Sequence, residues 1–141
     1  ALRIGSTPVN RGDRGKAMKA MVDHAGRATE PRQLVIYPQG TRVAPGAHPP
    51  FKVGAGVLYD RMGQPCVPAA TNAGVFWGRR SRYRRPGLAV VQFLDPIAPG
   101  LGVAAFMVQM EAVVEDASDA LMREAGFEPG PRPDRAAAAV P

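Results

Sequence analysis

A chain of 141 residues with 45% hydrophobic and 21% charged content is most simply one globular domain, long enough to bury a real core. Its single cysteine excludes an internal disulfide and a cysteine-based metal cluster, and no apolar run approaches the roughly 20 residues that cross a bilayer as a helix. The net charge of +6 and pI near 10.2 favour anionic partners, whether phosphorylated metabolites, lipid headgroups or nucleic acid.

No signal-peptide pattern is present, and the first residue is Ala rather than Met, so the natural amino terminus is expected to lie upstream. Residues 2–10 read as a short extended piece broken by turn residues and followed by Arg11. Asp13 is a good N-cap for a helix over 14–25, in which Ala17, Met18, Met21, Val22 and Ala25 share one face and Gly26 is a natural stop. The β-branched run within 33–38 reads as a buried strand, and the Pro/Gly-rich stretch 42–50 as a loop. A short helix over 53–62 carries Gly54 and Gly56, each costing about 1 kcal/mol against Ala, which points to close packing or close approach of a ligand.

Residues 66–71 read as an apolar strand that Pro68 places near an edge or bulge. After a polar loop over 74–87 comes a strand at 88–94, closed by Asp95 and Pro96. The longest helix spans 103–125, with Val103, Phe106, Met107, Met110, Val114, Ala117 and Leu121 on one stripe and Glu111, Glu115, Asp116 and Asp119 off it, facing water. Residues 128–141, rich in Pro, Arg and Ala, have too little apolar bulk to fold and are expected to be disordered. The order of elements indicates an α/β fold, a sheet flanked by helices, over residues 1–127.

The strand at 33–38 runs into Tyr37-Pro38-Gln39-Gly40-Thr41-Arg42, the stretch with the most chemistry in it. Glycine lets a backbone come close to a ligand, Thr41 adds a hydroxyl donor, and the Arg42 guanidinium offers a planar fork matched to phosphate oxygens. An ordinary strand-ending turn with an exposed arginine accounts for the same residues.

Other chemistries find little support. No P-loop follows Gly40, and none of Ser6, Ser81 or Ser118 sits in a nucleophile elbow. His24 reads as a cation in the last turn of its helix and His48 as a solvated loop residue, neither near a second His or Cys, so no metal site is expected. Burial in an apolar strand would raise the Cys66 thiol and argues against a nucleophile. The arginines Arg79, Arg80, Arg82, Arg84 and Arg85, interleaved with Trp77 and Tyr83, allow three readings: stacking on nucleic acid, contact with anionic lipid, or a solvated loop. No helix carries the basic stripe used by groove readers, which weighs against nucleic acid.

Taken together, the Tyr37 to Arg42 block, Phe51-Lys52-Val53-Gly54-Ala55-Gly56 and Val67-Pro68-Ala69-Ala70 resemble the lysophospholipid acyltransferase family, which includes the 1-acylglycerol-3-phosphate acyltransferases. Upstream, Gly5-Ser6-Thr7-Pro8-Val9-Asn10-Arg11 is similar to the family's G-x-x-F-I-D-R-like block, with Pro8 and Asn10 as departures. The resemblance implies a glycerolipid acyltransferase-like fold and acyl transfer to a lysophospholipid hydroxyl. The donor would be acyl-CoA or acyl-carrier protein as co-substrate, with no further cofactor. It also implies an acceptor site of Arg11, Gln39, Gly40, Thr41 and Arg42, with the two arginines on the phosphate, and a place at the cytoplasmic face of an anionic membrane.

Two departures from the family pattern matter. Gln39 replaces the family's Glu, and the H-x-x-x-x-D block that supplies the general base and its orienting Asp is absent, since Thr29 lies five positions after His24 and Val53 five after His48. A positioned base is commonly worth about 10²- to 10⁴-fold. The expectation is therefore the carboxyl-terminal, acceptor-binding part of a longer enzyme, without catalytic residues and inactive alone, or alternatively a non-catalytic domain that binds anionic lipid or phosphate.

Overall fold

The computed structural model describes residues 33–78 and 81–132. The expected helix at 14–25, Arg11, His24, Arg79 and Arg80 lie outside these residues.

Helix α1 (Gly54–Met62) stops where Gly63 turns left-handed (φ 58°) and returns its N–H to the Tyr59 carbonyl at 3.1 Å. Its glycines serve packing. A Cβ on Gly56 would lie 2.8 Å from Met107 Cγ and 2.9 Å from Val103 Cγ1, so only a bare backbone lets α1 approach the long helix this closely.

Strands β1 (Ala69–Thr71) and β2 (Val91–Phe93) form an antiparallel ribbon with Ala70 opposite Gln92. A bridge between Cys66 and Ile97 and a bond from the Leu94 N–H to the Pro68 carbonyl extend the pairing below the regular strands. Pro68 thus offers its carbonyl to the partner, and its missing N–H falls where no ladder bond is needed. Between the strands lies the short helix α2 (Ala73–Phe76). Asn72, just before it, is buried and holds three places together: its amide donates to the Leu121 and Leu88 carbonyls, and its oxygen accepts from the Val90 N–H.

Helix α3 (Val103–Glu124) is the backbone of the core and ends within a residue of its expected limit. Phe106, 1% exposed, stacks on Tyr59 with ring centroids 3.8 Å apart, and Phe51, Ala55, Ile97 and Met110 complete the cluster. Gly126 (φ 75°) ends the helix, with the Phe127 N–H returning to the Met122 carbonyl. The ribbon packs on α3 through Ala70, whereas Ala69, Thr71, Val91 and Phe93 are exposed.

Two expectations are corrected. Residues 33–38 form no strand: Val35 and Tyr37 are 71% and 79% exposed, and the described residues bring no ladder partner alongside. An apolar β-branched run becomes a strand only when a second chain takes its N–H and C=O groups. The second strand is shorter than 88–94, because the Thr71 hydroxyl and the Asn72 side chain bond the backbone of Val90 and replace the ladder there. Separately, Pro129 passes close to Gly46, its Cα 2.9 Å from where a Gly46 Cβ would sit, while residues 133–141 lie outside the described residues. Helices and a small antiparallel sheet are compatible with the α/β class.

Candidate functional site

Pro38 sets φ for a tight turn, and Gly40 closes it by donating its N–H to the Tyr37 carbonyl at 2.9 Å. Gly40 sits at φ 69°, a conformation that side-chain-bearing residues rarely adopt. Twelve residues beyond Gly40 the loop returns, and the Lys52 N–H donates to the Pro38 carbonyl at 2.8 Å. The end of the Lys52 side chain then lies against the open face of Gly40, where a Cβ would meet Lys52 Cε at 2.8 Å.

Two blocks that are separate in sequence are therefore one local structure. Gln39 is half-buried, while Gly40, Thr41, Arg42 and Lys52 are exposed. Among the described residues neither Arg42 nor Lys52 makes an ion pair, and α1 begins two residues after Lys52 with no acidic residue in its first turn. Lys52 thus lies over the Gly40 turn, the exposed Arg42 follows Gly40 by two residues, and a nine-residue helix begins two residues after Lys52. Such a place suits an anion with several oxygens. Lys52 is the residue that sequence reasoning passed over, although its place in the Phe51-Lys52 block was available as a signal.

A second polar centre was read wrongly from sequence. His48 is not solvated: its side chain is 3% exposed, with Nδ1 2.5 Å from Glu115 Oε2 and Nε2 3.7 Å from Asp119 Oδ1. Glu115 and Asp119 do not face water but are buried under the 43–50 loop. Arg132 completes the group, donating from Nε and Nη2 to Asp119 Oδ2 at 2.9 and 2.6 Å and from Nη1 to Asp116 Oδ1. Partial burial works against the charge on Arg132, but the hydrogen bonds and attraction of Asp119 and Asp116 outweigh it and raise its pKa further. The available signal was the spacing of Glu111, Glu115 and Asp119, four residues apart and so on one face of α3.

Each of His48, Glu115 and Asp119 offers a donor atom within 4.8 Å of the others, the spread of a small metal site. The occupied positions favour a different reading. Glu115 takes His48 Nδ1 at hydrogen-bond distance, and the Arg132 guanidinium on Asp119 would repel a divalent cation. We read the group as a charge clasp that holds the 43–50 loop and residue 132 on α3. A side chain 3% exposed also cannot reach a substrate hydroxyl, so His48 is no candidate base. Burial raises the pKa of the half-buried Cys66 thiol, in line with its unreactive reading.

The Gly40 turn and the Phe51-Lys52 motif thus form one exposed, basic local structure. A family model described as Acyltransferase matches residues 1–72, about half of the sequence and including both motifs. The chain belongs to this acyltransferase family. No curated protein and no solved structure matches it.

Proposed function

We propose that the chain takes part in acyl transfer from a thioester donor, acyl-CoA or acyl-carrier protein, to a lysophospholipid such as 1-acyl-sn-glycerol 3-phosphate. In this reading the turn of Gln39, Gly40, Thr41 and Arg42 holds the acceptor's phosphate, Lys52 supplies a second cation, and Arg11 adds a third from its own block. The observation that carries the reading is the contact of Lys52 with Gly40, which joins two acyltransferase-like blocks into one local structure. Charge-assisted contacts of this kind are worth about 1.5 to 3 kcal/mol each.

The general base is not assigned within this chain. Neither histidine has an Asp five residues on, and His48 is enclosed. The role proposed is therefore acceptor binding, at a membrane surface where such acceptors reside. No helix among the described residues is long and apolar enough to cross a membrane.

Titration of lysophosphatidate into the chain and into Arg42→Ala and Lys52→Ala tests this. Each variant should bind about 10- to 100-fold more weakly with its thermal melt unchanged. Unaltered affinity in both would refute the phosphate site. Normal binding by the chain, with no transfer in a protein that also carries an H-x-x-x-x-D block, would favour the non-catalytic lipid-binding reading.

A further inference from the structure

Residues 76–78 and 81–88, outside the matched region, are tied to one another by bonds of their own. The Arg85 N–H donates to the Phe76 carbonyl at 2.9 Å, and the Phe76 ring lies so close to Gly87 that no side chain could stand there. Above this base, Ser81 bonds the backbone of Tyr83 through both its hydroxyl oxygen and proton, and the Arg84 guanidinium sits 4.3 Å from the centre of the Trp77 ring. The segment is held by its own bonds, yet its large side chains face outward. Trp77 is 56% exposed, Tyr83 87% and Leu88 77%, alternating with the exposed Arg82, Arg84 and Arg85. No acidic residue occurs between Asp60 and Asp95, so nothing in this stretch neutralises the arginines.

We propose that Arg82, Arg84 and Arg85, together with Trp77, Tyr83 and Leu88, dock the protein on an anionic lipid surface. The charge is complementary to headgroup phosphates, which attract each basic residue near the surface by about fivefold in partitioning. Amphipathic rings and the bare Leu88 side chain suit the boundary between headgroup and acyl chain, where the arginine stems also bury. Nucleic acid fits less well. One face of Trp77 is already covered by Arg84, and Leu88 offers a phosphate backbone nothing. A hollow of about 450 Å³, lined among others by Pro45, Phe76, Tyr83 and Arg85, connects the segment to the loop that follows the Gly40 turn. Docking there does not depend on acyl transfer.

Trp77 is the single tryptophan, so its emission reads the segment directly. The full chain is mixed with vesicles of phosphatidylcholine alone, or with roughly one-third phosphatidylglycerol. The expected result is a blue shift on the anionic vesicles only, weakened by salt, with quenching by lipids brominated near the headgroup end of the acyl chain. Changing Arg82, Arg84 and Arg85 together to Gln should lower partitioning on the order of 100-fold, from fivefold per charge. The proposal is overturned by no shift on anionic vesicles, by an equal shift on neutral ones, or by unchanged partitioning of the triple variant. A response to single-stranded oligonucleotide in place of vesicles would also overturn it, in favour of nucleic acid. Brominated-lipid quenching of the unmodified chain decides the matter even if the triple variant does not fold.

Discussion

His48 Nδ1 meets Glu115 Oε2 at 2.5 Å across 67 residues of sequence, with the two side chains 3% and 10% exposed. This pair pins the 43–50 loop to α3. Both ends of that loop bear on the candidate site, since Arg42 lies just before it and Lys52 just after. The Gly40 turn is therefore held by a buried contact that does not belong to it.

Removing the imidazole should be costly. His48→Ala leaves Glu115 Oε2 buried without its hydrogen-bond partner, and a buried acceptor left unsatisfied typically costs about 1 to 3 kcal/mol. Urea denaturation of wild type and variant measures the difference. Equal midpoints would show that the clasp contributes nothing to stability.

The same centre should be indifferent to metals. Glu115 already engages His48 Nδ1, and the Arg132 guanidinium on Asp119 opposes a cation there. Neither a chelator nor added zinc is expected to move the melting temperature. A clear upward shift with zinc, abolished in His48→Ala, would replace the clasp with a metal site.

Gly40→Ala combines two faults. The left-handed backbone costs a residue with Cβ about 1 to 2 kcal/mol, and the new methyl would push aside the end of Lys52. Lysophosphatidate affinity should fall together with a modest drop in stability. Calorimetric titration reads the first and a thermal melt the second, and retention of full affinity would detach Lys52 from the site.

At the helix contact, Gly56→Val places branched methyls where Met107 and Val103 already stand within 3 Å of a single Cβ. Overpacking of this kind costs about 1 to 3 kcal/mol, while Gly→Val in an exposed helix would instead be mildly favourable. A rise in the denaturation midpoint would contradict the packing described for α1 and α3.

The Cys66 thiol is expected to resist modification near neutral pH. Burial raises its pKa above the ordinary value, so the neutral form is the one the fold accommodates. Its contribution to stability is fully present below the ordinary thiol range and is lost as pH rises through the raised value. Reaction with a disulfide reagent should be slower in the folded than in the unfolded chain at any pH below that range. Equal rates would show the thiolate to be freely formed.

Local chemistry was legible. The helix at 103–124, the helix that ends at Gly63 and the loop at 42–50 all follow from periodicity, stop signals and proline content, which act over a few residues. The glycines of α1 were rightly read as marks of close approach, although only the structure names Met107 and Val103 as the neighbours. The run at 33–38 shows the limit of such reading, because Leu34, Val35 and Ile36 have strand propensity but no ladder partner among the described residues.

By itself, then, the sequence determined the helices at 54–62 and 103–124, the turn chemistry around Gly40 and membership in an acyltransferase family, all written in contiguous blocks. Only the tertiary structure decided that Lys52 lies on Gly40 and that the His48, Glu115 and Asp119 side chains are buried together, with Arg132 bonded to them from the surface. Burial and pairing of charges depend on which distant segments fold over one another. A charged residue on a helix face looks the same in sequence whether water or another chain segment covers it.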